Sequence, residues 1–270
     1  MQWWEALLMG IVQGLTEFLP VSSSGHLMIS KELFGVTSEG FLDFTVTVHF
    51  ATVLSTIVVF WKVLWQIIKG VLKFKYNDET DYFLKICVSM IPVAIVGFCF
   101  KDFVESLFSD SLRVVAIFLC VTAFMLTFSD FYTKHVKIKN DYRNGISYWQ
   151  AIVIGLGQAL AVAPGLSRSG TTIATGLVAG VKRENMAQFS FLMVLIPILG
   201  EQFLSILDML GADAAAMSSG VGVIALLFGF IGAFLAGLFA CKTMVALVRK
   251  AKLTWFALYC VIVAILILVL

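Results

Sequence analysis

The sequence predicts an all-α polytopic membrane protein with two inverted-topology repeats, each made of one re-entrant helical hairpin and three transmembrane helices. Only 13% of the 270 residues are charged and 60% are hydrophobic, whereas soluble domains carry about 25% charged residues. The apolar stretches are long and continuous rather than alternating, which favours helices over barrel strands. Two polar segments that interrupt this pattern resemble each other, and their similarity predicts the repeats.

Six stretches are apolar over a length that suits a bilayer, which about 20 residues of helix can cross. They cover residues 44–61, 84–101, 113–131, 188–207, 221–241 and 253–270. We expect the whole chain, 1–270, to form one integral membrane domain. Its first repeat would cover about 1–131 and its second about 146–270.

The charges of the connecting segments predict the orientation. Basic residues cluster in four of them, namely 62–83, 132–146, 182–183 and 242–252. Segments 102–112 and 208–220 carry acidic residues instead, at Asp102, Glu105, Asp110, Asp208 and Asp213. The positive-inside rule places the basic segments in the cytoplasm. The six spans then alternate, with the N- and C-termini outside.

The two polar segments, 1–43 and 147–187, are not clean spans. Each begins apolar, breaks at a cluster of proline, glycine and serine, and then resumes. With six spans alternating, each segment has to enter and leave on one side. This predicts two re-entrant hairpins, because irregular backbone at membrane depth is tolerated where it lines a cavity.

The polar segments align at a constant offset of 145 residues. The stretch "WEALLMGIVQGLTEFLPVSSSGH" from Trp4 matches "WQAIVIGLGQALAVAPGLSRSGT" from Trp149 at eight of 23 positions. Each half then holds one hairpin and three spans, and because three is odd the second copy is inverted. Inverted repeats with broken helices place their polar sites near the midplane, where the repeats meet. We therefore expect the two polar clusters to face one another across a shared pocket.

The second cluster, "PGLSRSGTT" at residues 164–172, has the composition of an anion site. A helix that opens at about residue 171 would aim its N–H groups back at the loop. Arg168 adds a planar fork that suits phosphate, and an arginine inside a membrane protein indicates function. The side chains and backbone expected to bind phosphate here are those of Ser167, Ser169, Gly170, Thr171 and Thr172. The alternative is a serine- and glycine-rich helix break with Arg168 extending to the surface.

The first cluster adds groups for acid–base and nucleophilic chemistry. Gln13 and Glu17 are four residues apart and share one helix face. A carboxylate there is costly unless it meets Arg168 or a metal ion. Ser23 is a candidate nucleophile, and His26 suits proton transfer near neutral pH. The further phosphate-binding candidates of this cluster are Gln13, Ser22 and Ser24.

An anion site that faces a carboxylate, hydroxyls and a histidine suits phosphoryl transfer or phosphate hydrolysis. In this interpretation Arg168 holds the charge, Ser23 or a water attacks, and Glu17 or His26 manages protons. A divalent ion could bridge Glu17 and a diphosphate. Because a soluble phosphate ester needs no membrane pocket, we expect a lipid substrate.

These motifs resemble those of the bacterial undecaprenyl pyrophosphate phosphatases of the bacitracin-resistance type, over essentially the whole chain. The family's hallmarks are an (E/Q)xxxE segment, a nearby SSxGH and PGxSRSxxT. Here they correspond to residues 13–17, 22–26 and 164–172. The site residues that the resemblance carries over are Glu17, Ser23, His26, Ser167, Arg168 and Thr172.

The resemblance implies the hydrolysis of undecaprenyl diphosphate to undecaprenyl phosphate and inorganic phosphate. This reaction recycles the lipid carrier of peptidoglycan and other cell-wall glycans and gives resistance to bacitracin, which competes for the substrate. The resemblance also implies a multi-pass protein of the bacterial inner membrane, among membrane lipids, whose site opens to the periplasmic side. It implies Mg²⁺ or Ca²⁺ as cofactor, with Glu17 as a ligand, and leaves a homodimer open. No nucleic acid partner is expected.

One position departs from those members that carry two glutamates, because Gln13 replaces the first. A neutral amide cannot act as a base, and it binds metal more weakly than a carboxylate does. We therefore expect Glu17 alone to carry the main acid–base or metal role.

Two other functions compete with hydrolysis of this kind. The other class of membrane lipid phosphatase needs a histidine downstream of the arginine, and no histidine follows His135. An anion or lipid-phosphate transporter would share the broken inverted repeats. It would not obviously need Glu17, Ser23 and His26 together. Whether Ser23 or water attacks, and whether the lipid product is also flipped, stay open at this point.

Two further polar residues lie inside predicted spans. His49 is expected to be hydrogen-bonded and structural, and Glu201 has no assigned role. The chain also holds five cysteines, none in a CxxC pair, which we expect to be small buried hydrophobes without disulfides or zinc. They are Cys87, Cys99, Cys120, Cys241 and Cys260.

Overall fold

The computed structural model describes residues 1–37, 40–100, 112–135, 142–200, 221–250 and 252–269, and these residues are helical with short connections. Several residues of the sequence predictions lie outside the described residues: Glu201, the acidic positions 102, 105, 110, 208 and 213, and the basic positions Lys137 and Lys139. The all-α prediction is confirmed for the described part of the chain.

Eleven α-helices are described, with one 3₁₀ turn at Arg143–Gly145 before α7. In chain order they are α1 (Trp3–Thr16), α2 (Ser23–Leu33), α3 (Phe41–Val59), α4 (Trp61–Val71), α5 (Asp78–Cys99), α6 (Leu112–His135), α7 (Tyr148–Leu160), α8 (Arg168–Val178), α9 (Arg183–Met193), α10 (Val223–Lys250) and α11 (Thr254–Val269).

Four of these helices are long and apolar enough to cross a membrane: α3, α5, α6 and residues 223–248 of α10. They match the predicted spans 44–61, 84–101, 113–131 and 221–241. The sixth predicted span, 253–270, is the apolar helix α11, which at 16 residues is shorter. Length and composition therefore describe a helical, multi-pass membrane protein.

The predicted span 188–207 is not one continuous helix in its described part. Helix α9 ends at Met193, Val194 lies in a turn, and residues 195–200 resume the helix. Pro197 explains the break, because proline has no N–H to donate to the carbonyl of Met193 and its ring clashes with that carbonyl. The polarity of the segment hid this break, because its composition is that of a span.

Helix α4 lies in a segment that the sequence analysis treated as a loop, 62–83. It carries apolar residues on one side, including Ile67 at the core, and lysines on the other. A short amphipathic helix of this kind is expected at a membrane surface rather than across it. The cysteine prediction is partly wrong: all five are free thiols, but Cys99 and Cys120 are exposed on their helices.

The two polar segments fold into two helical hairpins, α1 with α2 and α7 with α8. Their helices share bounds at the offset of 145, since α7 begins 145 residues after α1, and α8 begins and ends 145 residues after α2. Both first arms start with a reciprocal capping box, Gln2 with Glu5 and Ser147 with Gln150. Both second arms start at a serine cap, which accepts a hydrogen bond from a glycine N–H three residues on.

Each hairpin packs its first arm against a helix from the other half of the chain. Helix α1 runs along α10, and α7 runs along α5. Glycines permit this close approach: a Cβ at Gly10 would overlap the carbonyl oxygen of Gly229, and one at Gly155 would overlap that of Ser89. Small residues at helix contacts are the usual way for helices to approach closely in a membrane. Helices α6 and α11 pack together between the hairpins.

A polar cluster fastens the segment before α7 to the start of α5. Asp81 and Lys85 form a buried ion pair at 2.5 Å, each 3% exposed. Asp81 also accepts from Asn144, Tyr76 and Tyr148. The hydrogen bonds of Tyr76 with Tyr148 and then with Asp81 raise the pKa of the Tyr76 phenol well above its usual range.

Candidate active site

The tips of the two hairpins meet, as the sequence analysis expected. Ser169 Oγ donates a 3.0 Å hydrogen bond to the carbonyl of Leu19, which joins the second tip to the first. A small cavity lies beside this junction, lined by Glu17 from the first tip and Arg168 from the second, with Thr52 and Thr56 of α3 and Ser190 of α9. Its enclosed volume is about 20 Å³, which suffices for one water molecule.

Glu17 is the centre of this site. It follows the last residue of α1, and its N–H still donates to the carbonyl of Gln13. Its Oε2 atom accepts hydrogen bonds from Ser23 Oγ at 2.6 Å and from Gln13 Nε2 at 2.8 Å. Its Oε1 atom lies 3.7 Å from a guanidinium nitrogen of Arg168. The costly membrane carboxylate therefore has both the cation and the donors that the sequence analysis required.

Arg168 stands at the first position of α8. Ser167, just before it, caps the helix by accepting from the N–H of Gly170 at 3.1 Å. The Arg168 side chain is 31% exposed, while the Glu17 side chain is 9% exposed. The guanidinium therefore reaches from the more open side of the site towards the carboxylate. The new helix opens at residue 168 rather than at about 171, because Ser167 supplies the cap.

The remaining hydroxyls of the second tip are held in place by neighbouring helices. The backbone N–H of Ser167 donates to Thr122 Oγ1 of α6. Thr172 Oγ1 lies 2.7 Å from Ser190 Oγ of α9, and Thr172 also lines the cavity. Thr171 is buried, and its hydroxyl has no hydrogen-bond partner among the described residues. Of the predicted phosphate-binding residues here, Ser169 and Thr172 line the cavity.

Ser22 shapes the first tip. It caps α2 by accepting from the N–H of Gly25, and its hydroxyl lies 3.4 Å from that of Ser24. The second tip repeats this contact, with Ser167 and Ser169 also 3.4 Å apart. Ser22 and Ser24 thus organise the turn, and Ser23 is the serine that the turn delivers to Glu17.

His26 contacts other groups than the expected ones. Its Nδ1 atom lies 2.7 Å from the carbonyl of Ser22, and its Nε2 atom lies 2.8 Å from the hydroxyl of Tyr259 on α11. The two rings are stacked, with an interplanar angle of 8°. The backbone carbonyl therefore receives the Nδ1 proton, and Nε2 accepts from Tyr259. A catalytic role for His26 stays a prediction, and Tyr259 is a neighbour that the sequence analysis did not identify.

His49 is the site residue that the sequence analysis misjudged. Its Nδ1 atom lies 2.9 Å from the carbonyl of Thr45, so it is hydrogen-bonded as expected. Its Nε2 atom, however, lies 3.7 Å from Oε2 of Glu17. Helix α3 thus brings a second imidazole to the carboxylate from 32 residues further along the chain. The only signal in the sequence was a histidine inside an apolar span.

Oxygen ligands for a cation are few but present. Glu17 supplies the carboxylate, and Oε1 of Gln13 is buried without a hydrogen-bond partner in the described structure. In the described part of the chain, no group of three or more histidine, cysteine or acidic side chains comes together as a metal site. Amide and carboxylate oxygens suit Mg²⁺ and Ca²⁺, and Mg²⁺ commonly takes its remaining ligands from substrate phosphates and water. The residues present therefore fit a cation that arrives with a phosphate ligand.

The arrangement supports attack on a phosphorus centre. A hydroxyl donates to a carboxylate at 2.6 Å, which is the contact between a nucleophile and its base. A guanidinium and a capped helix N-terminus face the same space, and both stabilise phosphate charge.

Comparison with known proteins agrees with this geometry. The family model for bacitracin resistance protein BacA matches residues 6–266. The undecaprenyl-diphosphatases of Bacteroides thetaiotaomicron and Parabacteroides distasonis are each 51% identical to the chain, covering 97% of it and 96% of their own length. An undecaprenyl-diphosphatase of Methanococcus vannielii is 40% identical, covering 95% of both chains.

Proposed function

Because the chain belongs to the bacitracin resistance protein BacA family, we propose that it hydrolyses undecaprenyl diphosphate to undecaprenyl phosphate and inorganic phosphate. Relatives at 51% identity over nearly the whole chain are undecaprenyl-diphosphatases, so the proposal takes both reaction and substrate from them. The observation that carries it is the contact of Ser23 with Glu17 beside Arg168.

The chain's own residues account for each part of the reaction. Arg168 and the N-terminus of α8 hold the terminal phosphate and stabilise the charge that develops on it. The hydroxyl of Ser23, or a water in the same place, forms a bond to phosphorus while Glu17 takes its proton. The bond from phosphorus to the bridging oxygen breaks, and undecaprenyl phosphate leaves. If Ser23 attacks, water then hydrolyses the phosphoserine, and both routes yield one inorganic phosphate.

A divalent cation, Mg²⁺ or Ca²⁺, is part of the proposal. Glu17 would hold it, with the free amide oxygen of Gln13 as a weaker second ligand. The cation supplies positive charge that offsets the charge of the diphosphate. Since Gln13 is neutral, Glu17 alone can accept a proton from Ser23 among the two residues of this helix face.

The proposed architecture is two inverted repeats, about 1–131 and 146–270, each with a re-entrant hairpin. Its support is the shared bounds of α1 with α7 and of α2 with α8. The exchanged packing, α1 on α10 and α7 on α5, also supports it. Inverted repeats of this kind place a site at their meeting point, which is where the two tips touch.

The proposed setting is the bacterial inner membrane, with both termini and the site's opening on the periplasmic side. The basic segments support this orientation through the positive-inside rule. There the enzyme would recycle the lipid carrier of peptidoglycan and give resistance to bacitracin, which binds the same substrate.

The direct test is phosphate release by the purified protein in detergent, from undecaprenyl and farnesyl diphosphate, with Mg²⁺ or Ca²⁺. Wild type should release phosphate, and Arg168→Ala and Glu17→Ala should lower kcat/KM by about 10²-fold or more. Ser23→Ala separates the two routes, because residual activity favours water and a complete loss favours a phosphoserine. Folding of each variant is checked by its melting temperature.

A folded wild type that releases nothing with either metal would refute the proposed hydrolysis. The same protein would then be reconstituted in vesicles and tested for transport of lipid phosphate, the competing function.

A further inference from the structure

A second cavity lies beside the candidate site and differs from it in character. It is a groove of about 440 Å³ between the end of α3, helix α4, the start of α5 and residues 192–199. Every residue that lines it is isoleucine, leucine, valine, phenylalanine or tryptophan. This volume falls within the range of about 300–1,000 Å³ that is typical of ligand pockets. We call this cavity the apolar groove.

The apolar groove continues directly from the candidate site. Leu195 lines both cavities, so one side chain forms their common wall. On α3, Thr56 lines the site and the next residue, Ile57, lines the groove. The change from hydroxyls to hydrocarbon thus happens within one residue of α3. The groove then extends along α4, whose 11 residues span about 16 Å at 1.5 Å per residue.

This polarity pattern limits what the groove can bind. A polar ligand would lose its hydrogen bonds to water and find no partner among the aliphatic walls. An apolar chain loses nothing of that kind and gains the burial of its surface. The groove is also open along one side, because Ile68 and Leu199 remain partly exposed. A chain attached to a head group in the candidate site can therefore enter it sideways.

We propose that the apolar groove binds the isoprenoid chain of the substrate whose diphosphate occupies the site at Glu17 and Arg168. This inference rests on the proposed function and adds the subsite that recognises the lipid tail. Leu195 marks the point where head group and tail separate. The groove makes the enzyme select long prenyl diphosphates over short ones, because only a long chain fills the stretch along α4.

The test compares dimethylallyl, farnesyl and undecaprenyl diphosphate with wild type and with two variants that fill the groove from opposite walls. Ile68→Trp fills it from α4 and Leu199→Trp from the other side. Ile265→Trp is the matched control, since Ile265 is similarly exposed but lies on α11. The detergent and the surface mole fraction of substrate are held constant.

For wild type and Ile265→Trp, kcat/KM should rise with chain length. Both groove variants should flatten this rise, with a loss of about tenfold or more for undecaprenyl diphosphate through KM, since hydrophobic pockets discriminate by such factors. Their rate with dimethylallyl diphosphate should stay at the wild-type value. Unchanged chain-length dependence in both folded variants would overturn the proposal, and so would an equal loss for all three substrates.

A second measurement locates the chain directly. A polyprenyl diphosphate with a diazirine at its far end should label residues 61–72 or 192–199 on irradiation, and Leu199→Trp should reduce that labelling. Labelling confined to other helices would show that the groove holds ordinary membrane lipid. Failure of wild type to release phosphate from any of the three substrates would instead refute the proposed function, which keeps the two outcomes apart.

Discussion

Ser22 determines where the neighbouring Ser23 hydroxyl points. Its φ is 68°, in the left-handed region, which costs a residue other than glycine of order 1–3 kcal/mol. The cap that Ser22 forms with Gly25 offsets part of that cost. The strained turn reverses the chain between α1 and α2 over six residues, and this reversal sets Ser23 against Glu17.

Arg168 should not tolerate replacement by lysine. Lysine keeps the charge but lacks the planar fork that binds two phosphate oxygens at once. We expect Arg168→Lys to lower kcat/KM by about 10²-fold, close to the loss for Arg168→Ala, because removing one such donor costs about that factor. Steady-state phosphate release measures this, and near-wild-type activity of the lysine variant would show that charge alone suffices.

His49 offers a second prediction at this scale. Its contact with Glu17 at 3.7 Å should help to keep the carboxylate in place beside Ser23. His49→Ala should lower kcat by about tenfold, the equivalent of about 1.4 kcal/mol. His49→Gln should retain most of the activity, because the amide can still reach the carboxylate.

Both His49 variants are compared at saturating substrate, with melting temperatures as the folding control. Equal kcat for the alanine variant and wild type would mean that Glu17 does not depend on His49.

Sequence reasoning identified most of the site because the site's residues lie close together in two related segments. Gln13, Glu17 and Ser23 are within about three helical turns, and Arg168 lies in the matching segment. His49 and Tyr259 escaped because each lies on a separate apolar helix. Their positions depend on how α3 and α11 pack, and no local spacing encodes that packing. The proximity of Glu17 and Arg168 was predictable only through the cost of a lone membrane carboxylate.

At the scale of the helices, glycines determine how closely the hairpins pack. Gly10 and Gly155 occupy matching positions in α1 and α7, and each touches the backbone of a partner helix. The alignment revealed both glycines but not their partners, α10 and α5. The break after α9 was equally hidden, because Pro197 lies in an apolar run whose composition is that of a span.

Replacing either glycine by alanine should therefore destabilise the protein. The added methyl group would overlap a carbonyl oxygen, and overpacking of this kind costs about 1–3 kcal/mol. Gly97→Ala in α5 is the control, because no atom lies within 4 Å of the added Cβ. The control should gain up to about 1 kcal/mol from helix propensity.

Thermal unfolding in detergent measures these differences. We expect Gly10→Ala and Gly155→Ala to melt below wild type and Gly97→Ala at or above it. Equal melting temperatures for all three would contradict the close helix contacts.

For the molecule as a whole, polar clusters at one end tie segments that are distant in sequence. Asp130 of α6 accepts from Arg183 and from the N–H and hydroxyl of Thr254, which begins α11. Asp81 and Lys85 do the same for α5 and the segment before α7. These ties lie beside the basic segments, away from the hairpin tips.

Lys85→Met should therefore destabilise the protein strongly. It leaves Asp81 buried without its ion partner, and breaking a buried pair in this way costs about 3–5 kcal/mol. Lys62→Met removes an exposed lysine from α4 and should change the melting temperature little. If both variants melt like wild type, the buried pair does not hold the two halves together.

The packing of α1 on α10 has a consequence for biogenesis. The first arm leaves the ribosome early, yet its glycine face meets a helix about 220 residues later. At about 5–20 residues per second the partner emerges roughly 10–45 s afterwards. During that interval Glu17 lacks Arg168, and the first hairpin is a poor candidate for insertion. The N-terminal hairpin should therefore enter the bilayer late, and translation arrested before residue 223 should leave it accessible to protease in the translocon.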